Sequence, residues 1–281
     1  MSYLSPYALI TGASKGFGRE LAEELAGRKH NLLLVSLPNE GLTEVCAELR
    51  SKYRVRIDCF ETDLSENQSV YDVARWALSK YRINILINNA GIGGSNPFEA
   101  ASLSSLDLII QINIRAVTFL TRLLLDEIKS HKRGYILNVA SMASFSPIAY
   151  KTIYPASKSF VYSFSRGLNR ELRGTGVSVS VIHPGPMKTN AEVTSRIESQ
   201  SNIARLGLVS PKKVARIAIN GLIRRRSQIV PGFYNKLFWL LMKVVPLSFR
   251  LNVVSDIMRN ESGKLKPGGL ILPNVSKASN V

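Results

Sequence analysis

Short, almost wholly apolar runs recur along the first two-thirds of this chain, each followed by a longer stretch of helical periodicity. The short runs fall at residues 7–10, 31–35, 56–60, 83–87, 134–139 and 177–182. Helical patterns occupy residues 20–28, 41–53, 65 onward, 102–130 and 157–172. A strand that is apolar on both sides must be covered on both faces, and an intervening helix returns the chain for parallel pairing. The alternation therefore predicts an α/β fold: a doubly wound parallel sheet of the Rossmann type, with helices on both faces in three layers. Crossovers are expected to be right-handed, with ligands at the carboxyl ends of the strands. Ser65 is the expected N-cap of the third helix, and Gln68 its capping-box partner.

A chain of 281 residues with 45% hydrophobic content fits one such domain, over residues 1–263. A loosely ordered tail is expected over 264–281, which is rich in Gly, Pro, Ser and Asn. Two cysteines, Cys46 and Cys59, make no disulfide framework and fit a reducing compartment. His30, His131 and His183 have no metal-ligand spacing, so no metal site is expected. Residues 1–7 show no signal-peptide pattern. The apolar run at 237–249 is short and interrupted by Lys243 and Pro246, so it is not read as spanning a bilayer. A cytoplasmic protein is expected, with peripheral attachment to a membrane as the alternative.

The most specific local signal follows the first strand: Thr11-Gly12-Ala13-Ser14-Lys15-Gly16-Phe17-Gly18, and then a helix. Glycines let the chain turn tightly and bring backbone N–H groups close to a pyrophosphate, with the positive end of the helix behind them. The spacing Gly-x-x-x-Gly-x-Gly is neither the Gly-x-Gly-x-x-Gly fingerprint nor a P-loop.

With this loop and the motifs that follow it, the sequence resembles the short-chain dehydrogenase/reductase family from about residue 6 to 232. The motifs stand in the family's order: the glycine loop, Asp63-Leu64, Asn88-Asn89-Ala90-Gly91, Asn113, Ser141, Tyr154-x-x-x-Lys158, then Pro184-Gly185 and Thr189. The resemblance implies a nicotinamide cofactor held by the glycine loop. Asp63 would bond the adenine, with Leu64 beside it, and Asn89, Ala90 and Gly91 would line the cofactor. Pro184, Gly185 and Thr189 would meet its amide or pyrophosphate. Asn88 is expected to tie neighbouring strands together. The second strand ends Val35-Ser36-Leu37-Pro38, with no carboxylate at the place that usually bonds ribose hydroxyls in NAD enzymes. Lys15 and Ser36 would suit a 2′-phosphate, so NADP(H) is favoured over NAD(H).

Tyr154 and Lys158 are four apart and share a helix face. A phenol with a pKa near 10 is a poor base at neutral pH, but a nearby ammonium favours the phenolate. By the resemblance, Tyr154 is the general acid/base and Ser141 holds the substrate oxygen. Lys158 also bonds the nicotinamide ribose, and Asn113 anchors a proton-relaying water. Ser144 is a weaker candidate than Ser141, and His183 is read as structural. Pro155 requires the helix to begin close to Tyr154, because proline is tolerated only in the first turn.

The net charge is +17, and the chain from Thr194 onward carries 15 basic and 3 acidic residues. Such an excess serves nucleic acid, an anionic membrane, an anionic substrate, or merely a solvated face. No nucleic-acid-binding motif accompanies it, so specific nucleic-acid binding ranks last. Residues 190–260 are expected to cover the substrate, with Ser210-Pro211 opening a helix that ends at Arg224-Arg225-Arg226. The aromatic and basic segment 233–258 packs on the cleft or a partner subunit, or rests on an anionic membrane. The family implies a homodimer or homotetramer acting on a small carbonyl or secondary alcohol; if the segment 233–258 rests on a membrane, hydrophobic or acyl-type substrates are expected. The competing reading is a nucleotide-binding sensor or scaffold without turnover.

Overall fold

A computed structural model describes residues 6–94, 97–187 and 208–251. Seven parallel strands form one sheet in the order β3-β2-β1-β4-β5-β6-β7. They are β1 Tyr7–Thr11, β2 Asn31–Ser36, β3 Ile57–Glu61, β4 Ile83–Asn88, β5 Gly134–Val139, β6 Val177–Ile182 and β7 Gln228–Ile229. The helices are α1 Gly16–Gly27, α2 Leu42–Tyr53, α3 Asn67–Lys80, α4 Leu103–Ile110, α5 Val117–Lys129, α6 Ile153–Glu171, α7 Pro211–Ile223 and α8 Phe233–Val244. The sheet order reverses direction between β1 and β4, which opens a crevice above their carboxyl ends.

Side chains alternate across the sheet and build two cores. Ala8, Ile10, Leu32 and Leu34 pack with Leu21, Leu25, Leu49 and Leu222 on one face. Leu9, Leu33 and Val35 pack with Val70, Ala77, Leu120 and Leu124 on the other. This is the two-faced burial that the near-continuous apolar strands require. Asn88 crosses from β4 to β5 as expected, donating to Asn138 at 2.8 Å and to Thr121 at 3.0 Å. Cys46 and Cys59 are both free thiols, and burial, with Cys59 nearby, pushes the Cys46 pKa up to about 12.

Several element ends depart from the sequence reading. α1 begins at Gly16, four residues early, because the glycine loop runs straight into the helix. α3 begins at Asn67 with Glu66 as its N-cap rather than Ser65. The reason is local: the Ser65 N–H donates to Asp63 Oδ1 at 2.8 Å, and this turn holds Ser65 outside the helix. α6 begins at Ile153, not 157, so Pro155 lies in its first turn. The two-residue β7 was not read from the sequence.

The 102–130 stretch is helical from Leu103 to Lys129, with a π turn at Gln111–Ala116. Among the described residues this helix, not 237–249, is the one long and apolar enough to cross a membrane by length and composition. Its buried side chains, Leu120, Leu124 and Ile128, pack into the core, as in the central helix of a globular fold.

Candidate active site

The glycine loop is held shut by the end of β4. Thr11 Oγ1 accepts from the N–H groups of Asn89 and Ala90, each at 3.0 Å. Asn89 Nδ2 donates back to Thr11 O and Gly12 O at 2.9 and 3.1 Å. Gly12 and Gly16 have positive φ, +66° and +56°. A Cβ on Gly18 would lie 1.9 Å from Gly12 O, so only glycine lets α1 approach the loop this closely. The helix starts at Gly16, with Lys15 as an N-cap that makes no side-chain cap, and has no acid in its first turn. Its free N–H groups and positive dipole end face the crevice, an arrangement that fits a pyrophosphate. Phe17 is buried beneath the loop, Leu64 is buried beside it, and Ala90 is half-buried. Asp63 is engaged in the turn before α3. Asn89 thus braces the loop through its side chain.

At the end of β2 the sequence reading needs correction. Glu40, four residues beyond Ser36, folds back over the loop. Its carboxylate accepts from Ser14 Oγ at 3.1 Å and from Lys15 Nζ at 2.7 Å, and Ser36 Oγ donates to Ser14 Oγ at 2.7 Å. The place has a carboxylate after all, and Lys15 is paired with it. Linear inspection of the strand end missed Glu40 because a turn, with Asn39 and Gly41 at positive φ, brings it back.

The second cluster lies where β4, β5 and α6 meet. Tyr154 and Lys158 project from the first turns of α6, and Ser141 follows β5. The Ser141 hydroxyl lies near enough to that of Tyr154 to favour its phenolate, and it accepts from Ala143 N at 3.1 Å. Lys158 Nζ donates to Val139 O at 3.0 Å and lies 6.0 Å from the centre of the Tyr154 ring. Asn113 sits in the π turn, fully buried. It accepts from Ile92 N at 3.0 Å and donates to Ile92 O and Ser157 Oγ, both at 2.9 Å. Cβ atoms built on Gly91 would press on Lys158 Nζ and Asn113 Oδ1 at 3.0 and 3.1 Å, so both groups crowd that glycine.

Burial sets the proton affinities here. It raises the Tyr154 pKa, with the Ser141 hydrogen bond opposing it, and lowers that of Lys158 to about 8. Desolvation, which disfavours the phenolate, outweighs the Ser141 hydroxyl, and the Lys158 ammonium does not enter the balance.

Behind Ser141 lies a shell that the sequence did not reveal. Ser144 Oγ donates to Ser141 O at 2.6 Å and lies 2.8 Å from His183 Nδ1, which is itself 3.2 Å from Ser141 O. His183 is fully buried against Phe145 and Tyr162. Its Nδ1 faces the Ser141 backbone carbonyl. Pro184 O accepts from Met142 N at 3.0 Å, and Gly185 leaves room for the buried Asn235 of α8. Thr189, part of the expected cover (residues 190–207 and 252–260) and the tail at 264–281 lie outside the described residues.

Tyr154 lines an open cleft beside α4 and the start of α6. Its walls are largely apolar, including Ile92, Phe98, Leu106, Ile109 and Ile153, with Ser105, Lys151 and Thr152 as polar members.

The model of the short chain dehydrogenase family matches residues 6–200. This chain belongs to that family. It is an NAD(P)-dependent oxidoreductase with the family's Rossmann fold. It is 32% identical over 255 residues to a very-long-chain 3-oxoacyl-CoA reductase of Anas platyrhynchos, covering 89% of this chain and 79% of that one. It is 35% identical over 187 residues to very-long-chain 3-oxoacyl-CoA reductase-B of Danio rerio, covering 65% of this chain. It spans only 60% of that relative's length. Among solved structures it resembles a short-chain dehydrogenase from Sphingobium yanoikuyae in complex with NADPH. That match has a TM-score of 0.75 and 28% identity, and it covers 94% of this chain and 98% of that one.

Burial of His183 makes a pH prediction. Its pKa is lowered from 6.5 to about 4, chiefly by desolvation. Between those values the unfolded chain binds a proton that the fold excludes, so stability falls as pH drops from 6.5 towards 4. Urea unfolding across this range is expected to lose up to about 3 kcal/mol through this group. His183→Asn should flatten that slope.

Proposed function

We propose that this protein reduces the keto group of an apolar, acyl-type substrate with NADPH, using Tyr154 as the proton donor. The observation that carries this reading is the meeting of Tyr154, Ser141 and the buried Lys158 beside an apolar cleft that Tyr154 lines, with desolvation raising the Tyr154 pKa. The bound nicotinamide supplies the hydride. The substrate carbonyl oxygen takes hydrogen bonds from Ser141 Oγ and the Tyr154 hydroxyl, and the latter gives up its proton as the carbon is reduced. The carbonyl becomes a hydroxyl and Tyr154 is left as phenolate. Lys158, with an ammonium that releases its proton near pH 8, stabilises the phenolate and returns the proton. Asn113 locks Ile92 and Ser157 and so ties the segment after β4 to the turn of α6 that carries Lys158.

The substrate class rests on the largely apolar cleft walls and on the named activities of the similar reductases. Preference for NADPH rests on Ser14, Lys15 and Ser36 at the ribose end and on the NADPH complex of the similar solved structure. Glu40 opposes that preference, because its carboxylate occupies Lys15. A 2′-phosphate must draw Lys15 away from it. A sensor without turnover would have no use for a proton donor beside a buried amine, which leaves the reductase reading ahead.

Two measurements follow. Tyr154→Phe is expected to lower turnover of a 3-oxoacyl thioester by roughly a hundredfold or more while NADPH binding is retained. Unchanged turnover would remove Tyr154 from the reaction. By equilibrium titration, Glu40→Gln should tighten NADPH binding about threefold or more, with little change for NADH. Weakened NADH binding with no gain for NADPH would instead make Glu40 an acceptor for ribose hydroxyls.

A further inference from the structure

Helix α8 turns only a narrow stripe towards the rest of the protein. Asn235 is buried beside Gly185, Trp239 lies 6.5 Å from Phe145, and Arg250 just beyond the helix donates to Phe145 O at 2.8 Å. The remaining circumference is apolar and open to solvent. Phe233 is 75% exposed, Leu237 55%, Leu241 50% and Val244 76%, and Leu247 and Phe249 continue the exposed face. Interfaces, not free surfaces, carry apolar patches of this kind.

Charge decides which interface. Residues 208–251 contain nine basic side chains and no acidic one. Lys236 joins Arg224 and Arg226 in a groove between α7 and the start of α8. Lys243 lies over the Trp239 ring at 3.9 Å. Two copies meeting through this face would oppose cation to cation without a carboxylate from either segment, which disfavours self-association. Nucleic acid would satisfy the cations but leave the phenylalanines and leucines in water.

We propose that α8 and the turn after it dock on an anionic lipid surface. Phe233, Leu237, Leu241 and Val244 enter the boundary between headgroups and acyl chains, while the surrounding lysines and arginines meet lipid phosphates. Lys236 and Lys243 have long apolar stems, which let their ammonium groups reach the headgroups from a partly submerged helix. Because α8 packs on the turn that starts at Ser141, docking sets the substrate cleft beside the lipid. The proposal stands on vesicle binding and is independent of the reaction assigned above.

The test mixes the full chain with phosphatidylcholine vesicles, with and without phosphatidylserine, and measures co-sedimentation. Binding is expected to be roughly tenfold or more stronger with phosphatidylserine, and to weaken as salt rises. The combined substitution Phe233→Ser, Leu237→Ser and Leu241→Ser should abolish it while NADPH affinity and oligomeric state stay unchanged. Absence of binding to phosphatidylserine vesicles, or full binding by the variant, overturns the proposal. So does a change in the variant's oligomeric state, which would give the face to a second copy. Increased proteolysis of residues 188–207 or 252–281 in the variant would give it to the chain itself and equally overturn the proposal.

Discussion

An amine lies inside this protein with a carbonyl, not a carboxylate, as its hydrogen-bond partner. Lys158 bonds Val139 O, and burial alone accounts for its lowered pKa. Such a group is costly unless the surrounding fold holds it firmly. Here β5 supplies the carbonyl, α6 supplies the side chain, and Gly91 leaves the space. The π turn that carries Asn113 tightens the same corner through Ile92 and Ser157. Tyr154 is placed by the same elements, so the position of the phenol is inseparable from that of the amine.

The fold was largely legible because its strands are apolar on both faces. Runs such as Leu32-Leu33-Leu34-Val35 leave few alternatives to a covered parallel sheet. Ser141, Tyr154, Lys158 and Asn113 were legible as a set because they sit at strand ends and on one helix face, where spacing predicts neighbourhood. What escaped depended on contacts between distant segments. Glu40 reaches Ser14 and Lys15 only through a turn with two positive-φ residues. The link from His183 through Ser144 to Ser141 joins the end of β6 to the loop after β5. No periodicity records either. Helix starts were missed where a competing local bond won, as with Ser65, or where glycines were read as loop, as at Gly16.

The protein divides its charge and its chemistry. The crevice over β1 and β4 pairs its exposed cation, Lys15, with Glu40, whereas residues 208–251 around α7 and α8 carry nine cations and no carboxylate. The two regions meet at the Met142–Phe145 turn, which carries Ser141 as its N-cap and receives Trp239 on its outer side. A change in how α8 is held therefore reaches the serine through one short turn.

The central claim is that this buried cluster turns over a ketone with a nicotinamide. Its most direct test is a single-turnover reaction of NADPH-loaded protein with a 3-oxoacyl thioester, followed by cofactor absorbance and product analysis. The account predicts one 3-hydroxyacyl product for each NADPH oxidised, and a rate roughly a hundredfold lower in Ser141→Ala. Tight NADPH binding without oxidation by this thioester or by any of a panel of apolar ketones would contradict it.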